Sequence, residues 1–158
     1  MLKLRKNKKG FTLVELIVVI AIMAVLAGTV AGVTVSQLNK AKNDNAVSDI
    51  KNLFNEFETF MASNPNLVEA ITVAKNANDQ SLAAQALVNA FNNEKKAAKG
   101  LNDNILTLKA ENTPIPKAGT GKYVYTATFA DGKLTLTIEC AKVGSTGADP
   151  TGTRTYEI

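Results

Sequence analysis

The chain has 158 residues, of which 46% are hydrophobic, one is cysteine and none is histidine. This length supports one hydrophobic core of modest size, and a single cysteine excludes an intrachain disulfide. The lack of histidine removes the commonest general base and the usual zinc ligand. The sequence also has no phosphate-binding glycine loop and no nucleophile elbow. We therefore expect that the protein is not an enzyme.

The formal charge of +4 is unevenly distributed along the chain, which has 18 basic and 14 acidic residues. Five of the basic residues lie in the first ten positions: Lys3, Arg5, Lys6, Lys8 and Lys9. The rest of the chain therefore has 13 basic and 14 acidic residues. A basic balance usually suggests nucleic acid or anionic lipid as a partner, but here it disappears beyond residue 10. We interpret the cluster of Lys95, Lys96 and Lys99 as a solvated helix end and expect no DNA binding.

The sequence changes character at Gly10, where the basic residues stop and an apolar stretch begins. The twenty residues from Leu16 to Val35 carry no charge, and a helix of about this length spans a bilayer. Glu15 lies at the edge of the stretch, where an unpaired charge is costly, and it is therefore a candidate functional residue. Thr12 and Glu15 also have the T-x-x-E spacing of a capping box, which gives Glu15 a structural role as a helix cap.

Two general interpretations fit this N-terminus. The apolar stretch is either an uncleaved anchor, oriented by cytoplasmic positive charges, or the core of a secretory signal with a mediocre cleavage site at Thr29-Val30-Ala31. The chain also resembles type IV pilins and their pseudopilin relatives in the run Lys8-Lys9-Gly10-Phe11-Thr12-Leu13-Val14-Glu15-Leu16-Ile17. We favour this third interpretation because the position of Gly10 and the flanking residues match the family closely.

The resemblance implies that a dedicated prepilin peptidase cuts after Gly10, removes residues 1–10 as a leader and N-methylates Phe11. It also implies that Glu15 pairs with the free α-amine of Phe11 on a neighbouring subunit. An α-amine has a reference pKa near 8, so it is mostly cationic at neutral pH and can neutralise a carboxylate in apolar surroundings. The alternative is a contact between Phe11 and Glu15 within one chain, since the two residues lie one helical turn apart.

The same resemblance implies a homopolymer assembled from the cytoplasmic membrane by an assembly ATPase and an inner-membrane platform. The expected function is that of a type IV pilus subunit in adhesion, aggregation or twitching motility, with the protein ending in a cell-surface filament. The alternatives are a pseudopilin of type II secretion or DNA uptake and a monomeric surface binding protein on an uncleaved anchor. Many Gram-negative pilins close a C-terminal loop with a disulfide, so the lone Cys140 points to a Gram-positive source or a pseudopilin.

A long helix is predicted from Thr12 to about Met61, because the first proline is Pro65. Residues 11–37 would form the transmembrane and filament-core segment, and residues 38–158 the globular head. In the second half of this helix, apolar residues recur at three- and four-residue intervals. They are Ile50, Leu53, Phe54, Phe57, Phe60 and Met61. Gly28 and Gly32, four residues apart, would either allow close packing between helices or weaken the helix locally.

The head is expected to contain a second helix at Ser81–Lys99, capped by Gly100, and a shorter one at Asn66–Ala77. The predicted apolar face of the second helix comprises Leu82, Ala83, Ala86, Leu87, Ala90 and Phe91. The sequence predicts a β-hairpin over residues 123–140, with its turn at Asp131-Gly132. Its inward pairs would be Phe129 with Leu134, Ala127 with Leu136, Tyr125 with Ile138, and Tyr123 with Cys140. Arg154–Ile158 would add a third strand.

The predicted fold class is therefore α+β, the pilin fold: a long N-terminal helix packed on a small head with a second helix and an antiparallel sheet. Cys140 is expected to be a small buried hydrophobe. We predict no metal and no cofactor. Calcium in the stretch from Gly144 to Gly152 is the one alternative, and there Asp149 would be the only carboxylate ligand.

Overall fold

The computed structural model describes residues 10–74, 76–144 and 149–158. Two segments lie outside the described residues: residues 1–9 of the predicted leader, and residues 145–148 within the stretch from Gly144 to Gly152. The described residues form the helices α1 (Leu13–Ser63), α2 (Pro65–Thr72) and α3 (Ala77–Lys99). They also form the strands β1 (Leu106–Leu108), β2 (Tyr123–Ala130), β3 (Lys133–Glu139) and β4 (Thr151–Glu157). The fold class is α+β, as predicted, and is consistent with the pilin fold.

The chain divides into two compact units, Met1–Leu38 and Asn39–Ile158. In the first unit, every described residue, from Gly10 to Leu38, is exposed. Because most of these residues are apolar, this unit has a surface that water solvates poorly. The second unit contains the hydrophobic core, all of α2 and α3, and the sheet.

The core of the second unit is built on the amphipathic half of α1. All six residues of the predicted apolar face are buried: Ile50, Leu53, Phe54, Phe57, Phe60 and Met61. Phe57 is completely buried, and its ring packs edge-on against Phe91 of α3, with 5.3 Å between ring centroids. The Tyr156 hydroxyl of β4 donates a hydrogen bond to the Phe54 carbonyl at 3.2 Å. The predicted end of the helix is also confirmed, since α1 stops at Ser63, just before Asn64-Pro65.

Helix α3 is confirmed, but its buried face differs from the predicted one. Gly100 ends the helix in the left-handed conformation with φ 62°, as a C-terminal glycine commonly does. Leu82 and Ala86, predicted to face inward, are exposed. The buried residues are instead Ala84, Leu87, Val88, Phe91 and Asn92. Alanine contributes little to a hydrophobic pattern, so the sequence leaves two overlapping stripes, and packing around Phe91 selects one of them. The short helix α2 also ends earlier than predicted, at Thr72.

The hairpin formed by β2 and β3 has the predicted register. Phe129 pairs with Leu134, Ala127 with Leu136, and Tyr125 with Ile138. The fourth predicted pair, Tyr123 with Cys140, lies one position beyond the end of the ladder, because β3 stops at Glu139. At the turn, Asp131 and Gly132 both have positive φ, at 51° and 74°, as a two-residue type I′ turn requires.

The sheet is mixed and has the strand order β1-β2-β3-β4. Strand β4 pairs antiparallel with β3 and begins at Thr151, three residues before the predicted third strand. The short strand β1 was not predicted. It pairs parallel with β2, so the expectation of a purely antiparallel sheet is wrong. The chain joining β1 to β2 bonds to Ala141 beyond β3 through Pro116 and Ala118. It therefore crosses one face of β2, and Val124, predicted on the open face, is fully buried.

Asn92 of α3 closes the outer edge of β1. Its side chain accepts a hydrogen bond from the Leu106 N–H at 2.9 Å and donates one to the Leu106 carbonyl at 2.7 Å. These are the two groups that a further strand would otherwise bind, because Leu106 lies between residues whose backbone bonds to β2. The side chain is 1% exposed. Asn92 is thus a buried polar residue whose hydrogen bonds are made inside the core.

We expect the substitution Asn92→Ala to lower the free energy of unfolding by about 2 to 4 kcal/mol, because it leaves a buried N–H and a buried C=O without partners. The measurement is urea unfolding of the full chain in detergent, followed by tyrosine fluorescence. Asn93→Ala is the matched control, since Asn93 is the exposed neighbour on the same helix; its effect should stay within about 0.5 kcal/mol. Equal effects of the two substitutions would contradict the role given to Asn92.

Candidate functional site

The start of α1 has the geometry of a capping box. The Glu15 carboxylate oxygen Oε2 accepts hydrogen bonds from the Thr12 N–H at 2.9 Å and from the Thr12 hydroxyl at 2.8 Å. The Glu15 N–H donates to the Thr12 hydroxyl oxygen at 3.3 Å. Two N–H groups that a helix start leaves unpaired are thereby satisfied. The predicted structural role of Glu15 is present in the single chain.

The residues of the predicted cleavage site precede the helix. Gly10, Phe11 and Thr12 have no regular secondary structure, and α1 begins at Leu13. Phe11 is 88% exposed, and a Cβ atom built on Gly10 would meet no atom within 4 Å. The Gly10–Phe11 peptide bond is thus in an open part of the chain. Phe11 precedes the helix, and the hydrogen bonds of the Glu15 carboxylate go to Thr12.

Gly28 and Gly32 lie farther along α1, within a continuous helix. A Cβ atom built on either glycine would meet no atom of the chain within 4 Å. Contacts within the single chain therefore do not require glycine at these two positions. The two interpretations given above, close helix packing and local flexibility, both concern the helix in contact with other molecules.

By length and composition, α1 is also the one helix in the described part of the chain that could cross a membrane. Its apolar segment has no burial inside the chain. Large exposed apolar surfaces on soluble proteins normally mark sites that bind lipid or other proteins. The N-terminal unit therefore combines an accessible backbone junction, a carboxylate at the helix start and an uncovered apolar helix.

A cavity on the head is lined by polar and charged side chains. It has a volume of about 580 Å³ and lies beside Tyr123, whose hydroxyl donates to Asp49 at 3.0 Å. Burial is the main cause that raises the pKa of Tyr123 far above its usual range, and the hydrogen bond to Asp49 raises it further. The phenol therefore stays protonated. Across the cavity, a hydrogen bond and ion pair with Lys122 lower the pKa of Asp103. The cavity is thus lined by two separate polar pairs, Tyr123 with Asp49 and Lys122 with Asp103.

Cys140 and Asp149 both have structural roles in the head. Cys140 is fully buried, and burial raises the pKa of its thiol to about 11, so it is a neutral buried group at physiological pH, as predicted. Asp149 accepts a hydrogen bond from the Lys142 N–H at 3.0 Å. Within the described residues, no three His, Cys, Asp or Glu side chains lie together in a way that could hold a metal ion.

The lysine cluster at the end of α3 matches the expected solvated helix end only in part. Lys96 and Lys99 lie in the last turn, where cations interact favourably with the helix dipole. Lys95 forms an ion pair with Glu56 at 3.2 Å and lies over the Phe91 ring. One member of the cluster is thus engaged with the head itself.

Comparison with known proteins identifies the N-terminal segment. The family described as the prokaryotic N-terminal methylation motif matches residues 5–31, which include Gly10, Phe11, Glu15 and Gly28. Neither a curated protein nor a solved structure gives a match to the chain. The motif implies processing by a prepilin peptidase and assembly into pilus-like polymers, and it marks structural proteins that are not enzymes. The chain therefore carries, over residues 5–31, the prepilin-type cleavage and methylation signature that is found in type IV pilins and pseudopilins.

Proposed function

We propose that this protein is a structural subunit of a type IV pilus, which polymerises through its N-terminal helix and serves adhesion, aggregation or twitching motility. The observation that carries the proposal is the methylation motif at residues 5–31, which lies on a helix whose apolar surface is exposed throughout the first unit. The second unit has its own core. It can therefore remain folded in water while the apolar helix is covered by something else.

The first step is insertion of residues 11–37 into the cytoplasmic membrane, with the basic leader on the cytoplasmic side as the positive-inside rule requires. The prepilin peptidase then cuts between Gly10 and Phe11 and methylates the new amino group of Phe11. Removal of residues 1–10 changes the formal charge of the chain from +4 to −1, since the leader holds five basic residues and no acidic one. The product is a head, residues 38–158, on an apolar stalk.

Assembly then transfers the stalk from lipid to a filament core. Burial of apolar surface between neighbouring helices replaces lipid contact, and return through water is opposed by about 25 cal/mol per Å² of apolar area. Glu15 would enter this core as a charge, so it needs a cationic partner. The amino group of Phe11 on a neighbouring copy supplies one, and it exists only after cleavage. This requirement makes cleavage a condition for assembly.

The proposed partners follow from these steps. They are further copies of the chain, the prepilin peptidase and methyltransferase, an assembly ATPase and its inner-membrane platform. The protein would reside in the cytoplasmic membrane and then in a surface filament. The function proposed here uses no cofactor, metal or DNA. A Gram-positive source has only the unpaired Cys140 in its favour.

A pseudopilin of a type II secretion or DNA-uptake system is the second candidate, because it would carry the same motif and use the same processing steps. We favour a pilus subunit because of the size of the head and its additional helix α3. A monomeric anchored binding protein is the third candidate and requires the Gly10–Phe11 bond to stay intact.

The first prediction concerns processing. We expect the protein sheared from the cell surface to start at N-methylated Phe11, lacking the mass of residues 1–10. Intact-mass measurement combined with N-terminal sequencing checks this result. A control strain without the peptidase should retain the leader. A surface chain that keeps Met1 to Gly10, or one cut behind Ala31, would make the protein an anchored or secreted one.

The second prediction separates the two roles of Glu15. Glutamine retains the side-chain oxygen that accepts from Thr12, so Glu15→Gln preserves the capping box but removes the charge. If Glu15 pairs with the Phe11 amine, Glu15→Gln and Glu15→Ala should both be processed normally and both reduce the filament yield at least tenfold. Thr12→Ala, which weakens the cap and keeps the charge, should assemble better than either. Normal filament yield from Glu15→Gln would leave only the capping role.

The third prediction concerns Gly28 and Gly32. Alanine at both positions meets no atom of the chain and should strengthen the helix by up to about 1 kcal/mol per site. If the glycines permit close approach of neighbouring helices, the double alanine variant should be processed normally and yield fewer filaments in sheared surface fractions. Ala27→Gly, added to the double alanine variant, returns flexibility beside the pair without restoring glycine at positions 28 and 32, so it is the control and should not restore assembly. Full assembly of the double alanine variant would show that assembly requires neither the close packing nor the flexibility that these glycines allow.

A further inference from the structure

The outer edge of β4 presents a row of backbone groups without partners. In an antiparallel ladder, successive residues direct their N–H and C=O groups alternately to the two sides of the strand. The Cys140 N–H donates to the Pro150 carbonyl, and the Ile158 N–H donates to the Gly132 carbonyl. Even-numbered positions of β4 therefore face β3. The odd-numbered residues, Thr151, Thr153, Thr155 and Glu157, direct their backbone N–H and C=O groups away from the sheet.

This edge is accessible along its length. All four odd-numbered residues are exposed. An open groove of about 1000 Å³ separates the second half of β4 from α2, so α2 does not cover the strand. Exposed edge strands are normally blunted in stable monomers, because their free backbone groups bind other strands. The described residues contain no backbone or side-chain hydrogen bond to the outward groups of Thr153, Thr155 or Glu157.

The opposite edge of the sheet is closed, which restricts what β4 can pair with. Strand β1 is only three residues long, and the Asn92 side chain occupies the outward N–H and C=O of Leu106. The edge of β4 in one copy therefore cannot continue onto β1 of the next copy. If copies of this chain join their sheets, they must do so through β4 and β4, related by a two-fold axis.

The sequence of β4 is compatible with such self-pairing. In the antiparallel register centred on Thr153, each Thr153 faces Thr153 of the second copy, and Thr151 faces Thr155. Threonine pairs are favourable across strands, and the same face already has threonine pairs between β3 and β4, with hydroxyl separations of 3.0 and 3.2 Å. Arg154 would lie opposite Gly152 in this register, so the two guanidinium groups do not oppose each other.

We propose that β4 is a self-association edge, which pairs antiparallel with β4 of a second copy of this chain through the outward backbone groups of Thr151, Thr153 and Thr155. A single strand pair buries little surface and is weak. Where many heads are displayed along one polymer, the same pairing is multiplied by avidity and would hold two filaments side by side. This amplification rests on the proposed pilus function, whereas the pairing of two heads does not.

The test uses the full chain in detergent, at less than one chain per micelle. Thr153→Cys places two thiols across the two-fold axis, where paired residues have Cα atoms about 5.5 Å apart, within disulfide range. Thr137→Cys is the matched control, because its side chain lies on the same face and bonds to Thr153 at 3.0 Å. It sits one strand inward in each copy, which puts the two control thiols about 14 Å apart across the pair. Native Cys140 is buried and does not interfere.

We expect mild oxidation to give at least tenfold more disulfide-linked dimer from Thr153→Cys than from Thr137→Cys. Adding Thr155→Pro should return the yield to the control level, because proline removes an outward N–H without breaking a bond to β3. Adding Thr155→Lys should do the same and covers the case in which the proline variant does not fold.

Equal yields at positions 153 and 137 would overturn the proposal, as would a yield that neither Thr155 variant reduces. If the Thr153→Cys chain cross-links on cells only to a different protein, the edge binds a foreign strand and the assignment to a second copy is wrong. Filament assembly is scored separately by electron microscopy. Loss of filaments with retained dimer in detergent would count against the pilus function alone.

Discussion

The rest of the molecule depends on one constraint, which is that none of the described residues covers the apolar surface of residues 11–38. In the second unit, apolar side chains of α1 are buried by α3 and the sheet. In the first, every described residue is exposed. The hydrophobic effect requires lipid or other copies of the helix to cover this surface. A membrane intermediate and a polymer are two ways of meeting the same requirement.

Glu15 is a charged residue at the start of this apolar helix. In the single chain, its carboxylate satisfies the start of α1 through Thr12. A capping role is adequate in water or at a membrane surface, but in a helix bundle the same carboxylate is a buried charge that needs a cation. Cleavage at Gly10 would create that cation on Phe11. The residue can thus be a local cap before assembly and an intersubunit partner afterwards, without a change in its position on the helix.

The head contributes a stable core and two sheet edges of different character. The aromatic cluster of Phe57, Phe60, Phe91 and Tyr156 joins α1, α3 and β4. Gly152 permits this packing, because a Cβ atom there would lie 2.7 Å from side-chain atoms of Ile50 and Phe54. Asn92 occupies the outward backbone groups of Leu106 on β1, whereas no described residue bonds to the outward backbone groups of Thr153, Thr155 or Glu157 on β4. A further strand can therefore add to the sheet only beside β4. The head therefore combines its own hydrophobic core with one sheet edge, at β4, that is proposed to self-associate.

The sequence by itself determined the features that depend on local periodicity and turn chemistry. Four such features were predicted: the length of α1, its buried stripe from Ile50 to Met61, the Gly100 cap and the register of the hairpin at Asp131-Gly132. Each depends on the spacing of nearby apolar residues or on residues that favour positive φ, and both signals lie in neighbouring residues. The Thr12–Glu15 capping box was predicted for the same reason, whereas the motif around Gly10 was recognised by its resemblance to type IV pilins.

Tertiary structure alone decided features that join distant parts of the chain. Strand β1 is too short to carry a periodic signal, and its place beside β2 depends on Asn92, fourteen residues earlier. The rotation of α3 that exposes Leu82 follows from packing against α1, and Val124 is fully buried although its pattern places it on the open face. The open edge of β4 belongs to this class as well. Strand order decides which backbone groups lack partners, and strand order is a property of the assembled sheet.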